Sequence, residues 1–68
     1  MPANADERMA RLKAAIEQCS QGNVSAMRGV EIVDVDLITI SALAKAAGDA
    51  FTYSLTQRLL ASMKMRRN

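Results

Sequence analysis

Three groups of side chains in this chain are of types that do chemistry. Glu31, Asp34 and Asp36 set three carboxylates close together in "EIVDVD", and carboxylate oxygens bind hard divalent cations. The run lacks the glycine and the closing glutamate of a calcium loop, so helix capping and solubility account for it better. Cys19 is a nucleophile by type, but the chain has no histidine to act as its base. It reads instead as a small residue on an apolar helix face. The C-terminal "MKMRRN" carries Lys64, Arg66 and Arg67, and Arg58 falls on the same side. Such a basic end attracts phosphate backbones or acidic surfaces. It also complements the negative end of a helix dipole, which needs no ligand. A net charge of +2 creates no strong field for polyanions. There is no glycine-rich phosphate loop and no nucleophile with its base, so no catalytic residue, cofactor or metal site is expected and the chain reads as a non-enzyme.

Those groups need a scaffold, and 68 residues allow one small domain at most. A domain of this size buries only ~60% of its unfolded surface, so its stability is marginal without help. A disulfide is excluded because Cys19 is alone, and a histidine-based metal site because histidine is absent. Oligomerisation or a larger protein partner remains. Half the residues are hydrophobic, yet the aromatics are only Phe51 and Tyr53; apolar content carried by Ala, Leu, Ile, Val and Met suits a helical interaction protein. Asp6 and Glu7 stand where a signal peptide would be basic and then apolar. The longest uncharged stretches fall well below the ~18 residues of a membrane span. A soluble, cytoplasmic protein is expected.

The fold class expected from pattern is mostly α, in a single domain over residues 1–68: a helix at about 5–21, a connector with β character at 22–36, and a long helix at about 37–65. Asn4 with Glu7 three residues on reads as a capping box, and Met9, Leu12, Ile16 and Cys19 share a face. Gly22 is placed for a left-handed C-terminal cap. Further on, Leu43, Ala47, Phe51, Leu55, Leu59 and Met63 recur every four residues, with Ile40 widening the stripe. A helix over residues 41–65 is roughly 38 Å long and the first helix about 25 Å. The shorter cannot cover the longer, which makes Ile40, Leu43, Ala47, Phe51, Leu55, Leu59 and Met63 the expected protein interface.

Between the helices lies "VEIVDVDLITI", residues 30–40. Its β-branched residues favour a strand at Val30 to Val35. A strand needs a partner: "NVSAM" at 23–27 in a short hairpin, giving an α+β helix–hairpin–helix, or the same strand of a second subunit. The alternative is a helix capped by Asp34 or Asp36 and beginning near Leu37.

The stretch "ISALAKAAGDAFTYSLTQRLL" resembles, in its first half, a bacterial helix-turn-helix, with Leu43, Ala44, Ala47 and Gly48 at the buried and turn-glycine positions. That resemblance implies a small DNA-binding regulator contacting DNA through Arg58, Lys64, Arg66 and Arg67. Asp49, Ser54 and Gln57 depart from the motif by placing polar groups at apolar positions, and an uninterrupted helix accommodates them better. The reading that follows is a non-catalytic interaction module that self-associates or docks on a larger assembly as an adaptor or structural protein, with the DNA-binding regulator as its alternative.

Overall fold

The computed structural model describes residues 4–66, with side chains through residue 64. The chain divides into two compact units, Met1–Ile32 and Val33–Asn68.

The first unit is a helix, α1 (Ala5–Ser20), followed by a 3-10 turn (Val24–Met27) packed on it. Asn4 is extended and its Oδ1 accepts the Glu7 N–H at 2.8 Å. Asp6 and Glu7 then sit in the first turn, where the helix dipole favours them. The helix stops at Gly22, whose φ of 102° is left-handed. There the Asn23 N–H donates to the Gln18 carbonyl and the Gly22 N–H to the Cys19 carbonyl, each at 3.0 Å, which satisfies two terminal carbonyls. Both ends therefore follow the capping residues legible in the sequence. Leu12, Ala15 and Ile16 are buried; Met9 and Cys19 are half-buried at the edges of the same stripe.

The β-prone connector expected over 22–36 is overturned, and with it the hairpin and the inter-subunit strand. No strand occurs among the described residues. "NVSAM" closes on itself: the Ala26 N–H donates to the Asn23 carbonyl at 3.1 Å, the Arg28 N–H to Ser25 at 3.0 Å, and the Ser25 hydroxyl to Asn23 Oδ1 at 3.0 Å. With that segment spent on local bonds, Val30 to Val33 has no ladder to join. Val33 is extended, and helix α2 (Asp34–Ala47) begins directly after it, with Asp34 and Asp36 in the first turn. No side chain caps this end through Val33; Asp34 Oδ1 accepts the Val35 N–H at 2.9 Å. Magnitudes decide the contest between propensity and packing. Valine, isoleucine and threonine cost at most ~0.7 kcal/mol each in a helix. Burying Leu37 and Ile40, 0% and 3% exposed, contributes roughly 1.5–3 kcal/mol apiece.

The single long helix expected over about 37–65 is also overturned. α2 ends at Gly48, φ 72°, and α3 (Ala50–Arg66) begins two residues later. The Asp49 N–H donates to the Ala44 carbonyl at 2.9 Å and the Gly48 N–H to Lys45 at 3.2 Å, a left-handed stop. Asp49 then starts α3: its Oδ1 accepts the Thr52 N–H at 3.1 Å and its Oδ2 the Thr52 hydroxyl at 2.7 Å. Gly-Asp is thus a stop followed by a cap, which the four-residue apolar ladder conceals by stepping across it.

The second unit is an antiparallel αα-hairpin. At mid-length the Gln57 amide Nε2 donates to the Ser41 hydroxyl at 2.7 Å. At the far end, Asp34 and Ile38 share a small cleft with Leu60, Met63 and Lys64. Residues equally far from the turn therefore meet, and α2 and α3, about 21 and 26 Å long, nearly match. The mismatch that singled out an uncovered stripe does not exist. Leu37, Ile40, Ser41 and Ala44 of α2 are buried, as is Thr56 of α3, whose hydroxyl donates to the Thr52 and Tyr53 carbonyls at 2.9 Å.

Candidate interaction surface

The two helices of the hairpin differ in what they show to solvent. Thr52, Leu55, Thr56, Leu59, Leu60 and Met63 form the inner, buried or half-buried face of α3. Its exposed positions include Phe51, Tyr53, Ser54, Gln57, Arg58, Ala61, Ser62 and Lys64. α2 buries Asp36, Leu37, Ile40, Ser41 and Ala44, yet its opposite side is apolar too. Val35 and Ile38 are each 57% exposed and Leu43 51%, with Ala42 and Ala46 exposed between and beyond them. Val35, Ile38, Ala42 and Ala46 step by three, four and four, one line along the helix. Asp34 and Lys45 are the charges bordering that line, eleven residues apart on one flank. Thr39 is the exposed polar residue on the other flank of the line.

The residues expected from the sequence to form an interface are distributed differently. Ile40 is buried. Leu55, Leu59 and Met63 are half-buried on the inner face of α3. Leu43, Ala47 and Phe51 are exposed near the turn, Phe51 at 46%. The break at Gly48 and Asp49 splits this set between two helices. Val35 and Ile38 lie in the β-branched run 30–40, whose extended preference masks their helical spacing. The signal that finds them is the helical projection of residues 34–47, which places Val35, Ile38, Ala42 and Ala46 on one line once the helix starts at Asp34.

Of the basic residues, Arg58 and Lys64 are exposed. Arg66 lies in α3 with its side chain outside the described residues, and Arg67 lies wholly outside them. An antiparallel hairpin differs from the DNA-binding helix-turn-helix, whose helices cross at about 90–120° so that the second projects into a groove. Among the described residues no three histidine, cysteine or acidic side chains converge as metal ligands. Within the first unit, an open groove of about 520 Å³ runs between α1 and the segment after the 3-10 turn, with Arg8, Arg11, Gln18 and Glu31 at its rim and Ala14, Ala15 and Ala26 along it. Among the described residues, no helix is long and apolar enough to cross a membrane.

Val35, Ile38 and Leu43 of α2 are exposed large hydrophobics, as are Val24 before it and Phe51 and Tyr53 of α3. Comparison with protein-family models, curated proteins and solved structures gives no match to this chain.

Proposed function

We propose that this protein is a non-catalytic interaction module that works by docking the outer face of α2 on another protein surface, in an adaptor or structural role. The observation that carries the reading is the exposure of three large apolar residues, Val35, Ile38 and Leu43, on one helix. Apolar surface left in water costs roughly 25 cal/mol per Å², and a partner removes that cost.

The test is site-specific photo-crosslinking in the cells that make the protein. A photoreactive amino acid at position 38 is expected to give discrete protein adducts, whereas the same group at position 54, on the outer side of α3, gives few. Equal adducts at the two positions, or none at 38, would remove the reading.

A further inference from the structure

The open groove of the first unit is lined by bonding groups that the described chain leaves unused. Arg11 and Gln18 face it from α1, and Glu31 faces it from the segment after the 3-10 turn. Among the described residues, neither the Arg11 guanidinium nor the Glu31 carboxylate forms an ion pair or a hydrogen bond, so two opposite charges line one groove without bridging it. Arg8, at the same rim, already holds an interaction of its own and is not counted with them. The backbone of the second wall is also unpaired. The Val30 N–H donates to the Met27 carbonyl at 3.2 Å, whereas the Gly29 and Glu31 N–H groups and the Gly29 and Val30 carbonyls bond to no described residue. Between the walls, Ala14, Ala15 and Ala26 make a shallow floor.

We propose that this groove takes an extended peptide segment of a protein partner, hydrogen-bonded to the backbone of residues 29–31, with an acidic side chain against Arg11 and a basic one against Glu31. Each part of that occupant answers one part of the site. Main-chain bonds to an unpaired edge give an extended peptide its affinity, and the flanking side chains set which peptide is taken. A carboxylate meets the Arg11 fork in bidentate geometry, and a cation meets Glu31; a segment of one sign leaves a charge on one wall facing its like. A helical segment bonds its own N–H and carbonyl groups internally and would leave those of residues 29–31 unmet. The groove's volume of about 520 Å³ holds only a few residues, so the contact is small and reversible. It uses residues other than those of the α2 face and goes beyond the docking role assigned to that helix.

The experiment selects a displayed library of random linear peptides on the immobilised full chain, then adds the most enriched peptide, made synthetically, to isotope-labelled full chain. Enriched peptides are expected to share one acidic and one basic residue at a fixed separation. The synthetic peptide is expected to shift the amide resonances of Gly29 and Glu31 and to leave those of Val35 and Ile38 in place. Arg11→Glu, with native helicity checked by circular dichroism, is expected to weaken binding by roughly fivefold or more, and exchanging the peptide's acid for lysine restores it on that variant. Ala14→Trp, at an exposed position of α1, fills the groove and is expected to abolish binding without altering the core. No enriched peptide, or a peptide whose binding ignores both Arg11→Glu and Ala14→Trp, would overturn the proposal. Shifts centred on Val35, Ile38 and Leu43 would overturn the groove and leave the docking role of α2 standing.

Discussion

The Gln57 side chain of α3 donates its Nε2–H to the Ser41 hydroxyl of α2 at 2.7 Å, tying the hairpin at its middle. Ser41 is only 6% exposed while Gln57 is exposed, and this asymmetry sets the expected costs. Gln57→Ala strands a buried hydroxyl and is expected to cost ~1–3 kcal/mol; Ser41→Ala frees an amide that water reaches, and is expected to cost only ~0.5–1.5 kcal/mol. Urea titration of both single variants and the double variant checks this. Equal costs with no coupling would show that the bond does not tie the helices in solution.

The turn glycine gives a test whose sign separates two folds. Gly48 has φ 72° and open space where a Cβ would stand, so Gly48→Ala is expected to destabilise through the backbone alone, by ~1–2 kcal/mol. In one continuous helix the same change would stabilise by ~1 kcal/mol. Thermal melting of the variant distinguishes these outcomes, and Gly48→Asn is expected to fall between wild type and alanine.

Asp49 links stability to pH. The Thr52 hydroxyl, and after it the Thr52 backbone N–H, donate to its carboxylate and hold its pKa below the ordinary aspartate range. A carboxyl group with a lowered folded-state pKa stabilises above its unfolded value, about 3.9, and that contribution is lost as pH falls through the folded value. Melting temperature is therefore expected to drop in this acid range. Asp49→Asn retains a good cap and is expected to flatten that part of the profile; an unchanged acid limb in the variant would remove Asp49 as a cause.

Leu37 and Leu43 sit six residues apart on α2 with opposite fates. Leu37→Ala, at 0% exposure, is expected to cost ~2–5 kcal/mol, enough to unfold a hairpin of this size. Leu43→Ala, at 51% exposure, is expected to change stability by less than ~0.5 kcal/mol in dilute solution. Chemical denaturation that ranks them the other way would mean α2 faces its partner helix with the wrong side.

How much of this was legible in the sequence depends on how local each signal was. The ends of α1 were readable because Asn4, Glu7 and Gly22 act through bonds to residues three or four positions away. The helical start at Asp34 was legible only as the alternative of a helix beginning near Leu37 behind Asp34 or Asp36, because the preference of Val30 to Ile40 for extended backbone is a few tenths of a kcal/mol per residue and yields to burial of Leu37 and Ile40. The break at Gly48 was legible in principle. In a helix-turn-helix frame Asp49 reads as a misplaced polar residue, whereas it is the cap that restarts the chain as α3. The four-residue recurrence of Leu43, Ala47, Phe51 and Leu55 outvoted it, since a periodic stripe counts spacing and carries no information about a turn that preserves the spacing. The outer face of α2 followed from neither signal alone. It emerges only when the true start of the helix rotates Val35 and Ile38 onto one line.

Photo-crosslinking from position 38 in the cells that make the protein, with and without Val35→Asp in the same chain, tests the role of the α2 face most directly. Without the substitution, discrete protein adducts are expected above the 7.4 kDa of one chain, while Val35→Asp keeps its helicity and loses them. No adducts from position 38, or adducts that persist unchanged with Val35→Asp, would contradict docking through the outer face of α2.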